Sequence, residues 1–172
     1  MRNLIACFVT LLSLASFAHL AGASAADKLS KVDKAIIKDA MRNLEAVASE
    51  SRLARTNTQN DRVQNFAEKV VGGDDKLINQ LRELGNKYDF SYDANPTKPD
   101  VRDKKELEQF KGKKFDREYT KNMIRQHEEL LTIFKKGAKS DNPEVRDWFD
   151  KKQEAIREHL DMAKKLEHEL KD

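Results

Sequence analysis

From Leu29 onward, apolar residues recur at three- and four-residue spacing and charged residues fill the positions between them. That is the period of amphipathic helices packed around one core. The stripe Leu29, Val32, Ile36, Ile37, Ala40, Leu44, Val47, Ala48 and Ala54 predicts a first helix over about 28–57. Val63, Phe66, Ala67, Val70, Leu77, Leu81, Leu84 and Tyr88 predict a second over about 61–88. Within it lies "GGDD", Gly72–Asp75. Two adjacent glycines cost roughly 1 kcal/mol each against alanine in a helix interior, so a kink or a recapped break is expected there.

The segment 89–103, "DFSYDANPTKPDVRD", holds two prolines and few apolar residues and reads as one long loop. A third helix follows in two pieces, 104–110 and about 116–136, divided by "KGKK". Its stripe is Tyr119, Met123, His127, Leu130, Leu131 and Phe134. Asp116 is expected to cap the second piece, with Phe115 as the hydrophobic staple and Tyr119 in the core. The fourth helix opens at "DNPEV" with Asn142 as N-cap and Pro143 in the first turn, and runs to about Leu170. Its stripe is Val145, Trp148, Phe149, Ala155, Ile156, His159, Met162, Ala163 and Leu166.

A weak internal repeat relates "NDRVQNF", Asn60–Phe66, to "NPEVRDW", Asn142–Trp148: an asparagine cap, valine three residues on, an aromatic six on. Each falls at the tight turn of a helical hairpin. Two hairpins joined by the long loop predict an all-α, antiparallel four-helix bundle. The other arrangement is an elongated hairpin that forms a homo-oligomer by dimerising.

The ends change the setting. Arg2 precedes an apolar run from Leu4 to about Leu20, and "ASA" at Ala23–Ala25 fits a cleavage site, so residues 1–25 read as a signal peptide and 26–172 as a single helical domain. The run is short for a membrane span, and no transmembrane segment is expected after cleavage. A periplasmic or secreted location follows as an expectation. Cys7, the one cysteine, leaves with the leader, so the mature chain has no disulfide. With 33 basic against 30 acidic residues, interleaved along the chain, a nucleic-acid partner is not expected.

Candidate chemistry reduces to the histidines. His127 and His159 both lie on the apolar faces of their helices. Straight antiparallel geometry sets them about 6 residues out of level, or ~9 Å at 1.5 Å per residue. As metal ligands they would be joined by carboxylates from the first two helices, Glu50 or Glu45 and Asp74 or Asp75. As structural residues each would bond a nearby carboxylate such as Glu128, Glu158 or Asp161. Glu-x-x-His, the spacing of dinuclear carboxylate sites in helical bundles, is absent: Ile124 and Ile156 stand three before the histidines. His168 reads as solvated. No cysteine nucleophile, phosphate-binding glycine loop or HExxH is present in the mature chain.

The stretches "VQNFAEKVVGGDDKLINQL", "KGKKFDREYTKNMIRQHEELLTIF" and "NPEVRDWFDKKQEAIREHLDMAKKL" resemble the bacterial domain-of-unknown-function family 4142. Its members are exported helical proteins grouped with ferritin-like folds and often labelled predicted outer-membrane proteins. The resemblance implies a four-helix bundle outside the cytoplasm and no established activity. It also implies an Asp-His pair on the second helix where this chain has Gly73-Asp74, and a glutamate on the first near Val47.

Two functional expectations follow. The first is a non-enzymatic envelope protein, without a cofactor, acting in envelope physiology or stress through contacts with an unknown envelope protein or surface. The second is a ferritin-like metal-binding or metal-storage protein holding a divalent transition metal, Zn or Fe, on His127, His159, Asp74 and Glu50.

Overall fold

The computed structural model describes residues 28–92 and 98–171, and the expected signal peptide lies outside them. Four long helices carry the fold: α1 Lys31–Asn57, α2 Asp61–Lys87, α4 Gly112–Gly137 and α5 Pro143–Glu169, with the short α3 Lys98–Glu108 between the pairs. No strand occurs among the described residues. The chain is an all-α bundle, as its periodicity requires.

The helix starts follow from local chemistry. Ser30 and Asp33 form a reciprocal capping box that satisfies two otherwise orphaned amides of α1. The two asparagines of the internal repeat do the same work at equivalent places. Asn60 accepts from the amides of Arg62 and Val63, and Asn142 from those of Glu144 and Val145. Each opens the second helix of a hairpin.

Cross-helix contacts fix the topology. Asp33 on α1 accepts a hydrogen bond from Ser140 beyond the end of α4 (2.5 Å), whereas Thr58 after α1 donates to Asp116 near the start of α4 (2.6 Å). α1 and α4 are therefore antiparallel. Arg62–Glu169 (3.3 Å) and Lys87–Glu144 (2.6 Å) make α2 and α5 antiparallel too. With α1–α2 and α4–α5 as hairpins, α2 and α4 point the same way. One crossover must then run the length of the bundle, the connectivity of ferritin-like folds.

That crossover departs from the sequence expectation. The long loop gives way to helix at Lys98, within the span expected to be irregular. α3 lies over the groove between α1 and α4: Lys104 donates to Ser49 (3.0 Å), Arg125 pairs with Asp103 (2.9 Å), and Leu107 is buried. α4 starts at Gly112, whose φ of 54° suits glycine at the sharp step from α3. Asp116 is consequently not a cap. It lies one turn inside α4, buried, accepting from Thr58, while Tyr119 is in the core as expected.

The glycine pair does not break α2 either, which runs unbroken from Asp61 to Lys87. Neither Gly72 nor Gly73 has positive φ. The two glycines therefore carry their helix-propensity cost without any use of their backbone freedom. Val32 is also not a core residue: it is 66% exposed, because the inward face of α1 at that level is taken by Asp33, Ile36 and Ile37.

Aromatic clusters close both ends of the core. Phe66, Phe115 and Tyr119 pack near the α1–α2 turn, and Phe134, Trp148 and Phe149 near the α4–α5 turn. Polar side chains occupy the middle.

Candidate metal centre

Asp74 is at the midpoint of α2, and both of its flanking helical turns are apolar, with Val70, Val71, Leu77 and Ile78 buried. The stripe thus carries a carboxylate into the core, where it is fully buried. His127 enters from α4, equally buried, and His159 from α5 with 7% exposure. One ligand-capable atom from each of the three lies within 4.8 Å of the others. No other set of three such side chains converges in this way among the described residues.

The two imidazoles meet edge to face with ring centres 5.5 Å apart. The ~9 Å axial offset expected from residue counting does not keep them apart. The rings are in contact. Their partners also differ from the surface carboxylates considered earlier. His127 Nδ1 sits 2.7 Å from the Met123 carbonyl oxygen, which can only accept, so Nδ1 carries the proton. Glu128 pairs instead with Lys164 at the surface. His159 Nδ1 faces Asp74 Oδ1 at 3.6 Å, beyond hydrogen-bond range. His168 is exposed, as expected.

This leaves an unusual concentration of unpaired polarity. Both oxygens of Asp74, His127 Nε2 and His159 Nδ1 are buried and have no hydrogen-bond partner among the described residues. Each such atom ordinarily costs about 1–3 kcal/mol if nothing compensates it. Burial raises the Asp74 carboxyl above the usual carboxylate range, with His159 partly offsetting it. Burial likewise depresses His127 from 6.5 to about 4, against the pull of its bond to the Met123 carbonyl. His127 is therefore neutral at pH 7, with its Nε2 lone pair available.

Glu50, the fourth candidate ligand, is buried but lies apart from this cluster. Its oxygens accept from Gln126 (2.7 Å) and Asn122 (3.2 Å) in the α1–α4 interface. Burial raises its carboxyl, and those two amides pull it back. Glu45 and Asp75 are at the surface with Arg52. Val47, one turn before Glu50 on α1, is buried in the core.

A family model described as domain of unknown function (DUF4142) matches residues 18–166. The chain belongs to this family. No curated protein and no solved structure matches it. For a DUF4142 member, the family resemblance implied a histidine where Asp74 stands; here the aspartate itself joins the two histidines.

Two contributors escaped the sequence reading. The Met123 carbonyl orients His127, and a helical histidine always has a carbonyl four residues back, so no sequence signal distinguishes this case. In the sequence Gly73 stands as a helix breaker and as a departure from the family's Asp-His pair, and neither points to its contact with His159. A Cβ built there would lie 2.7 Å from His159 Cε1 and 3.0 Å from Nε2. Its position immediately before Asp74 was the available signal.

Proposed function

We propose that this DUF4142 protein is an exported, non-enzymatic metal-binding bundle that holds one divalent transition-metal ion on Asp74, His127 and His159. The observation that carries the reading is the convergence, from three helices, of four buried side-chain nitrogen and oxygen atoms that make no hydrogen bond. A cation would compensate all of them together.

The chemistry of the donors narrows the ion. Two neutral imidazoles with one carboxylate suit Zn or Fe(II) better than Ca or Mg, which favour all-oxygen shells. The Met123 carbonyl supplies the outer hydrogen bond that a metal-bound imidazole usually makes. A three-residue set holds a single ion, which fits sequestration or buffering in the envelope better than storage of many. Metal binding takes precedence over a purely contact-based role, because the buried cluster has a specific chemical demand.

Metal-stripped protein titrated with Zn(II), Fe(II) or Co(II) tests the reading. One equivalent should bind and raise the melting temperature, and the His127→Ala/His159→Ala variant should lose both effects. An unchanged melt with all three ions, and no bound metal after dialysis, would sink it.

A further inference from the structure

The geometry points to Gly73 as a positioning residue that forces His159 to present Nδ1, not Nε2, to the metal. This rests on the metal reading above for its function, and on packing alone for its structural half.

Gly73 and His159 face each other across the α2–α5 seam. The outer edge of the imidazole, Cε1 and Nε2, occupies the space where a side chain at residue 73 would begin, at 2.7 and 3.0 Å, while Nδ1 is 4.0 Å away. With that edge against the α2 backbone, the atom turned toward Asp74 is either Nδ1 or, after a ring flip, the Cδ2 carbon. The carboxylate 3.6 Å away selects the nitrogen. On the other side the ring is held by the edge-to-face contact with His127. Bringing Nε2 inward would require another rotamer, and the seat at Gly73 is built for this one.

The glycine pair itself supports the assignment. Both residues sit inside a continuous helix with ordinary φ, so neither serves a turn. Gly72 is exposed with open space around its missing side chain, whereas the neighbouring Gly73 is filled by the ring. Only residue 73 has a packing reason to lack a Cβ. The two ligands would thus be bound through different nitrogens: His127 through Nε2, because Nδ1 is hydrogen-bonded to a carbonyl, and His159 through Nδ1, because the Cε1–Nε2 edge of its ring lies against Gly73.

A double-mutant cycle read by thermal melting of the metal-free protein tests the seat, and histidine 15N NMR of the Zn(II) form tests the ligation. Gly73→Ala should lower the melting temperature in the wild-type background but raise it in His159→Ala, where the helix gains alanine and no ring is displaced. Gly72→Ala should raise it in both. In the Zn(II) protein, His159 should be the Nε2–H tautomer and His127 the Nδ1–H tautomer, and Gly73→Ala should weaken Zn(II) at least tenfold. The same sign for Gly73→Ala in both backgrounds overturns the seat. An Nδ1–H tautomer at His159 in the Zn(II) form overturns the ligation. Failure of the wild-type protein to bind Zn(II) removes the metal role, and a sign reversal in the melts would still establish the seat.

Discussion

His127 donates from Nδ1 to the carbonyl oxygen of Met123, one turn back on α4, and by doing so leaves Nε2 as its unprotonated nitrogen beside Asp74 and His159. A backbone group thus sets the tautomer of a core side chain. His127→Ala should weaken Zn(II) binding by more than the roughly 10–100-fold typical of outer-shell changes. Met123→Leu keeps the carbonyl and should cost less than about tenfold. Titration calorimetry on both variants decides whether the orienting group is the backbone or the thioether.

Glu50 offers a contrast, being buried and acidic yet apart from the cluster. Glu50→Gln should leave Zn(II) affinity within about twofold, as for sites that share no partner. Its effect should appear in stability. The folded-state carboxyl is raised by burial, so the native chain loses stability as pH rises from the unfolded carboxylate value through the folded one. The glutamine variant lacks that decline and should melt higher than wild type at pH 7, but not at pH 4.

Acid acts on His127 in the opposite sense. Its folded value of about 4 lies below the unfolded 6.5, so in that window the unfolded chain holds a proton that the folded one does not. The associated stability is present above pH 6.5 and lost on acidification toward pH 4, by at most roughly 3 kcal/mol. Urea unfolding of metal-free wild type and His127→Gln at pH 7 and pH 4.5 should show the stability difference between the two proteins changing in that direction. A pH-independent difference would contradict it.

At the far end of the bundle, a Cβ on Gly137 would lie 2.3 Å from the Phe149 ring, which is itself boxed by Phe134 and Trp148. Gly137→Ala should destabilise by about 1–3 kcal/mol through overpacking. Because the site lies near mid-bundle, Zn(II) affinity should be unchanged in the folded variant. Calorimetric melts with and without Zn(II) separate the two effects.

The fold was legible because its determinants are local and repeated. Apolar spacing placed the four long helices, and Asn60 and Asn142 marked both hairpin turns. The errors came where tertiary contacts outrank local preference. Gly72 and Gly73 suggested a break, but packing on both sides of α2 keeps it helical. Asp116 looked like a cap and is instead buried against Thr58. For the site, helical phase correctly turned His127 and His159 inward, whereas Asp74 and Asp75 stood as equal candidates on the second helix. Phase cannot give distance, however, and the contact between the imidazoles is a tertiary one between two helices. Nor can it separate Asp74, which reaches the cluster, from Glu50, which is as deeply buried but satisfied by Gln126 and Asn122.

The crossover between α2 and α4 divides the molecule into two hairpins that can each form from neighbouring sequence. The imidazoles both belong to the later hairpin, and the carboxylate to the earlier one. Neither half alone holds the three-residue set, which comes into being only when the hairpins dock, the step with the longest chain to close. An ion bound there would report on assembly of the halves and would join them, much as a staple does, in a chain cut within the crossover.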